Sequence, residues 1–139
     1  MSFHISALDI AQFKPLLALS EDQLAQRNIV VRTADKERYF PCRVSLEDAA
    51  IGEKLLLLNF EHLPVDSPYR SNHAIYVRRG ATPAQLELDQ VPELLRSRML
   101  SVRGFDNQGI MIEAEISDGR KLESAIDVAF KNPDVAYLH

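Results

Sequence analysis

The single cysteine of the chain, Cys42, is the side chain best suited to act as a nucleophile. The neighbouring guanidinium of Arg43 favours the reactive thiolate form, because a positive charge stabilises the negative sulfur. A catalytic thiol also needs a base within hydrogen-bond reach, and His62 and His73 are the candidates. This set predicts an enzyme that acts on an acyl or thiol substrate. The alternative is that Cys42 is a buried, small hydrophobic side chain.

A second group of residues has the chemistry of an anion-binding site. Tyr69 and Arg70 follow Pro68 in a loop that prolines stiffen. A guanidinium next to a phenol can hold a carboxylate or phosphate through paired hydrogen bonds. The leading hypothesis is therefore a protein that binds a small anionic metabolite, and the alternative is that its arginines are solvated or paired with acidic residues. The predicted ligand contacts are Arg43, Tyr69, Arg70 and Arg103.

The same stretch contains side chains of the types that bind zinc or iron, namely Glu61, His62, Asp66 and His73. Their spacing is not that of two histidines on one helix face, nor of another compact metal motif. The sequence therefore predicts no metal site and indicates no particular cofactor. A Gly-rich phosphate loop, a dinucleotide fingerprint and a G-x-S-x-G elbow are absent as well, which argues against the common nucleotide-binding folds.

Composition limits the partners and the compartment. The chain has 139 residues and a formal net charge of −4, which argues against a surface that follows nucleic-acid phosphates. No stretch approaches the roughly 20 consecutive apolar residues of a membrane-spanning helix, and the N-terminus does not have the pattern of a secretory signal. One cysteine permits no disulfide within the chain. We therefore expect a cytoplasmic protein without nucleic-acid or membrane partners.

Hydrophobic patterning predicts a mixture of strands and short helices. Residues 54–60 are a continuous apolar run, typical of a strand that is covered on both faces at the centre of a sheet. Residues 99–105 and 109–116 alternate in strand phase around a polar turn, which predicts an antiparallel hairpin. The fold class is therefore α+β: one domain over residues 1–139, with a mainly antiparallel sheet of about six strands and three or four short helices.

Further elements follow from the same patterns. Strands are predicted over residues 3–7, 28–33, 73–79, 84–88 and 134–138, and helices over 21–27, 46–50, 91–98 and 122–130. The helices at 21–27 and 46–50 each follow a capping-box pattern, at Ser20 and Ser45. The connection over residues 61–72 is long for a compact domain, and loops of this length are often functional, so we expect the site there. An exposed edge strand gives a third hypothesis, a homodimeric interaction module.

An ordered series of short motifs runs from residue 41 to residue 136. The motifs are Pro41-Cys42-Arg43, Leu46, Asp48-Ala49, Gly52-Glu53, residues 55–58, His62, Ser67-Pro68-Tyr69-Arg70, Ile75-Tyr76-Val77, Arg98, Ser101-Val102-Arg103, Phe130 and Asp134-Val135-Ala136. In this series the chain resembles a bacterial family of small uncharacterised proteins, the domain of unknown function DUF1203. The resemblance spans nearly the whole chain and implies no activity, substrate or cofactor.

Two departures from the family pattern affect the expected site. Where members often have a glycine before the apolar strand, this chain has Asn72-His73. Members also tend to continue past the last strand into a tail that contains histidine and asparagine and then cysteine, whereas this sequence stops at His139. If that tail holds part of the site, we expect either that this sequence is incomplete or that the protein has lost the corresponding chemistry.

Overall fold

The computed structural model describes residues 1–139 and confirms the α+β fold class. Six strands form two three-stranded antiparallel sheets, with the orders β1-β2-β3 and β5-β4-β6. None of the four α-helices is long and apolar enough to cross a membrane. The strands are β1 (Val30–Thr33), β2 (Lys54–Leu63), β3 (Ser71–Arg78), β4 (Met99–Phe105), β5 (Met111–Asp118) and β6 (Tyr137–Leu138). The helices are α1 (Lys14–Leu17), α2 (Glu21–Ala25), α3 (Glu93–Arg96) and α4 (Leu122–Ala129), with short 3-10 turns at Ile10–Gln12 and Gly119–Lys121.

The chain divides into two compact units, each made of segments that are not contiguous in sequence. The N-terminal unit comprises Ser6–Phe60 and His73–Gln85. The C-terminal unit comprises Met1–Ile5, Glu61–Asn72 and Leu86–His139.

The N-terminal unit is organised around β2, which is the middle strand of its sheet. Leu56 and Leu58 belong to one buried hydrophobic cluster, and Leu55 belongs to another. Because successive side chains of a strand point to opposite faces, the two clusters lie on the two faces of β2. This confirms the central, doubly covered strand that the apolar run predicts.

The first predicted capping box is present at the start of α2. The hydroxyl oxygen of Ser20 accepts a hydrogen bond from the backbone N–H of Gln23 at 3.2 Å, and Oε1 of Gln23 accepts one from the backbone N–H of Ser20 at 2.9 Å. Both N–H groups would otherwise lack a partner within the helix. The helix ends two residues earlier than predicted, at Ala25.

The predicted helix over residues 46–50 is wrong. Pro41 and Asp48 form an antiparallel bridge, and the backbone N–H of Leu46 donates to the carbonyl of Cys42 at 3.0 Å. Leu46 has a φ of 52°, which lies outside the right-handed helical region. A helix this short is not stable by itself, so tertiary contacts decide its conformation, and here they select a tight turn.

Two predicted strands, over residues 3–7 and 84–88, are also irregular in the structure. The N–H of Phe3 donates to the carboxylate of Asp89 at 2.8 Å, and the N–H of Ala84 donates to the carbonyl of Val44 at 3.0 Å. Their backbone groups are thus satisfied by single contacts to loops rather than by a ladder. Burial alternates over residues 3–7 without strand pairing, whereas in the second segment Leu88 is exposed.

The C-terminal unit contains the predicted hairpin, formed by β4 and β5. The two strands pair antiparallel, with one irregularity between Gly104 and Phe105. In the turn, the carboxylate of Asp106 accepts hydrogen bonds from the N–H groups of Gln108 and Ile110, at 2.8 and 2.9 Å. These contacts confirm the hairpin and its turn chemistry.

The amphipathic helix predicted at 122–130 is α4. Its apolar side buries Leu122, Ala125, Ile126 and Ala129, and two of these pack with Val102 of β4 in one cluster. The helix therefore covers the face of β4 that carries Val102.

The loop predicted over residues 61–72 is shorter than expected. Strand β2 continues to Leu63 and β3 begins at Ser71, so only residues 64–70 are irregular. This extension places His62 in a strand rather than in a mobile connection.

Candidate anion-binding site

The segment 61–72 is held against the turn of the β4–β5 hairpin. The hydroxyl of Ser67 donates to the carbonyl of Gly109 at 2.8 Å and accepts the backbone N–H of Tyr69 at 3.1 Å. A Cβ added to Gly109 would lie 2.9 Å from the side chain of Val65, and the φ of this glycine is +76°. Because both features exclude a larger residue, glycine permits the close approach of loop and hairpin.

The strands β4 and β6 present one face to α4 and another to this segment. Val102 lies on the face of β4 that α4 covers. Because side chains alternate along a strand, Arg103 and Phe105 point to the other face. Phe105 is paired with Tyr137 of β6, and Arg103 exchanges two backbone hydrogen bonds with His139, at 2.9 and 2.8 Å. Directly opposed residues of an antiparallel pair share a face. The guanidinium, the imidazole and the two rings therefore belong to one surface.

A row of polar side chains follows this surface. Nη2 of Arg103 lies 3.3 Å from Nδ1 of His139. The ring of His139 packs against that of His62 with 4.9 Å between centroids, and Nε2 of His62 lies 3.2 Å from the hydroxyl of Ser71. We call these four residues the Arg103 cluster. It brings together one guanidinium, two imidazoles and one hydroxyl; the hydroxyl of Ser71 donates to the carbonyl of Tyr69 at 3.0 Å, and a guanidinium or a protonated imidazole can donate hydrogen bonds to an anion.

Two buried polar atoms on this face have no hydrogen-bond partner, Nε of Arg103 and the hydroxyl oxygen of Tyr137. The ring of Tyr137 is stacked on Phe105 at 5.3 Å, and the ring of Tyr69 meets Phe105 edge-on at 6.0 Å. A buried donor without an acceptor costs about 1–3 kcal/mol, and a side chain that turned such a donor toward an acceptor of a ligand would recover that free energy.

The side-chain contact of Arg103 is with an imidazole, that of His139. Other arginines of this unit form ion pairs with carboxylates, in the pairs Arg70–Glu61, Arg96–Glu123 and Arg120–Asp118.

Arg70, a predicted ligand contact, is engaged by a carboxylate. Its Nε donates a hydrogen bond to Glu61, and this bond raises the pKa of the Arg70 guanidinium above its ordinary value. The Arg70 side chain is 58% exposed, so the pair contributes little to stability. An anion that binds Nε of Arg70 has to displace Glu61.

The remaining predicted site residues belong to the N-terminal unit. Cys42 is completely buried, and its sulfur accepts the backbone N–H groups of Arg78 and Ser45 at 3.3 and 3.5 Å. The backbone N–H of Arg43 donates to the carbonyl of Tyr76 at 3.0 Å, which ties this turn to β3. His73 lies at the exposed start of β3. The proposed pairing of Cys42 with a histidine base stays a prediction.

Burial of Cys42 predicts low thiol reactivity. Iodoacetamide should modify the native protein at least about a hundredfold more slowly than the protein unfolded in urea, because the sulfur is exposed only by local or global opening. Mass spectrometry of timed samples measures both rates, and no other thiol competes because the chain has one cysteine. Equal rates in the native and unfolded protein would contradict this prediction and favour the hypothesis of an enzyme with Cys42 as its nucleophile.

The structure contains no group of three or more His, Cys, Asp and Glu side chains arranged to hold a metal ion. The residues weighed as ligands in the sequence are thus not assembled into such a group. His62 instead contacts His139 and Ser71.

Sequence reasoning missed three residues of the site, namely Ser71, Tyr137 and His139. Strand alternation is the signal for two of them. Tyr137 and His139 are two residues apart, as are Arg103 and Phe105, so each pair lies on one face of an extended segment. Which strand lies beside which is not readable from alternation. That pairing had to come from the structure.

The fold and the site define a small α+β protein with an arginine–histidine cluster on one face of an antiparallel sheet. Residues 39–139 match the family described as a protein of unknown function, DUF1203, and the chain belongs to that family. The resemblance found in the sequence is thereby confirmed, and the matched region contains the whole Arg103 cluster. No curated protein and no solved structure matches the chain.

Proposed function

We propose that this protein binds a small anionic metabolite at the Arg103 cluster. One observation carries the proposal: Arg103 has a buried Nε–H without an acceptor, and its partner is an imidazole instead of a carboxylate. A guanidinium with an N–H that lacks an acceptor is a strong donor to carboxylate or phosphate oxygens, because the hydrogen bond is charge-assisted and can be bidentate.

The neighbouring side chains fit the same ligand chemistry. The imidazoles of His62 and His139 are close together, and imidazole in its protonated form donates to anionic oxygens. The unpartnered hydroxyl of Tyr137 adds a neutral donor. The stacked rings of Phe105 and Tyr137 lie on the same face as Arg103.

Among the predicted ligand contacts, two lie on the proposed surface. Arg103 provides the charge, and Tyr69 lies against Phe105 at its border. We propose Arg70 as a second cation for the ligand, which would replace Glu61 as the acceptor of the Arg70 hydrogen bond. Arg43 stays a prediction.

The test is a titration of the intact protein with inorganic phosphate, succinate and citrate at constant ionic strength. We expect one of these probes to raise the thermal midpoint in a saturable manner, because a ligand at a hundredfold excess over its Kd adds about 2.7 kcal/mol to the free energy of unfolding. Sodium chloride of equal ionic strength is the control for screening. The proposal fails if no anion gives a saturable shift, or if the NMR signals that move lie away from Arg103 and His139.

The setting we propose for this binding protein is the bacterial cytoplasm, with the whole chain acting as one domain. Support for a single domain comes from connectivity: the chain passes between the two units after residues 5, 60, 72 and 85, so neither unit is a continuous sequence that can be excised. We also propose that the protein does not bind nucleic acid, which its net charge of −4 supports.

A homodimeric interaction module is the second candidate. Strand β5 is at the edge of its sheet, and it carries Ile116, which is 70% exposed. Exposed edge strands with apolar side chains pair readily with another chain. A monomeric mass in light scattering at high protein concentration would remove this candidate.

A further inference from the structure

A groove of about 390 Å³ lies between α4 and the β4–β5 hairpin. Val102 and Gly104 line it from β4, and Val128 and Ala129 line it from α4. These residues are small or aliphatic, and Gly104 packs closely, because an added Cβ there would lie 3.3 Å from Val135 and 3.5 Å from Leu138. Its volume is within the range of roughly 300–1,000 Å³ that is usual for small-molecule sites.

The third wall of the groove carries two carboxylates. Glu113 and Glu115 of β5 are paired with Gly104 and Val102, so both side chains lie on the groove face. Oε1 of Glu113 accepts a hydrogen bond from the amide of Asn132 at 3.0 Å, which orients it. No lysine or arginine lines the groove, and neither glutamate takes part in the ion pairs of this unit. The groove is therefore apolar with uncompensated negative charge at one side.

This combination is complementary to a molecule with an aliphatic chain and a terminal positive charge. We propose that the groove binds a free primary alkylammonium compound, with the chain against α4 and the ammonium between the two glutamates. Val128 is 56% exposed and Ile112 is 37% exposed, so the rim is open to a small molecule from solvent. An anion of the same length is rejected because its charge meets the glutamates.

The inference stands on observations other than those of the proposed function. The groove lies on the Val102 face of β4, and the Arg103 cluster lies on the opposite face. Arg103→Met should leave ammonium binding unchanged, so failure of one proposal is distinguishable from failure of the other.

The experiment is a titration of the intact chain with n-pentylammonium chloride, followed by amide NMR. We expect saturable shifts of the Gly104, Ala114 and Ala129 signals, with 1-pentanol binding at least about fivefold more weakly because it lacks the charge. Sodium pentanoate should leave these signals in place. Equal affinity for 1-pentanol and pentylammonium, or no movement of the three signals, would overturn the proposal.

Variants of the two glutamates test whether their negative charges bind the ammonium group. The double variant Glu113→Gln with Glu115→Gln should weaken pentylammonium binding by about fivefold or more, because it removes both charges at constant size. Glutamine at 113 retains an oxygen that can accept the Asn132 amide, so the fold is preserved. Glu87→Gln, at an exposed position of the same unit outside the groove, is the matched control. Unchanged affinity in the double variant would overturn the proposal.

Discussion

Arg103→Met is expected to weaken the binding of the probe anion, phosphate or a small carboxylate, by about tenfold to a hundredfold. Hydrogen bonds to a charged group contribute about 1.5–3 kcal/mol, and each 1.4 kcal/mol corresponds to a factor of ten in Kd. Methionine retains an unbranched apolar stem, so the packing of β4 is kept while the charge is lost. Isothermal titration of wild-type and variant protein measures the difference.

Two further variants separate charge from hydrogen-bond geometry. Arg103→Lys keeps the positive charge but loses the planar fork, and we expect an intermediate affinity. Arg120→Met removes an exposed arginine of the same unit whose partner is Asp118, and affinity should stay at the wild-type value. If Arg103→Met bound the probe as tightly as the wild type, the Arg103 cluster would not be the anion site.

Gly119→Ala is expected to lower the free energy of unfolding by more than about 3 kcal/mol, beyond the usual cost of overpacking. An added Cβ would overlap the carbonyl oxygen of Leu95 and lie 2.7 Å from its carbonyl carbon and 2.8 Å from the carbonyl oxygen of Arg98. These are backbone atoms, which cannot turn aside as a side chain can. The same glycine donates its N–H to Arg98 at 2.8 Å, so moving it away breaks this hydrogen bond.

Urea unfolding followed by circular dichroism measures this loss, and insoluble or unfolded variant protein is its extreme form. Gly80→Ala is the matched control, because an added Cβ at Gly80 meets no atom within 4 Å. We expect that variant to be within about 0.5 kcal/mol of the wild type or slightly more stable. A Gly119→Ala protein with the wild-type midpoint and slope would contradict the packing described for the turn before α4.

The two predictions concern different properties of the same unit. Arg103→Met changes what the sheet face offers to a ligand while leaving the strand pairing intact. Gly119→Ala changes how α4 is connected to β5, and so it acts on the face of β4 that α4 covers. Loss of anion binding in the first variant with an unchanged unfolding midpoint is therefore the pattern that assigns Arg103 a role in recognition.

Local features of the sequence determined the elements with strong short-range signals. The apolar run before Phe60, the polar turn at Asp106 and the capping box at Ser20 each specify a structure through contacts between near neighbours in the chain. The family was also readable, because its motifs are an ordered series along the sequence. The second capping pattern, at Ser45, was misleading because a short helix has too few internal contacts to resist tertiary packing.

Only the tertiary structure decided the site. His62 meets His139 because the end of β2 and the segment after β6 come together in space, and no local rule relates these two positions. Whether Arg103 faces α4 or the opposite side depends on which residues of β4 the helix covers. Strand alternation determines which side chains share a face, but the burial of one face against another element determines what that face does.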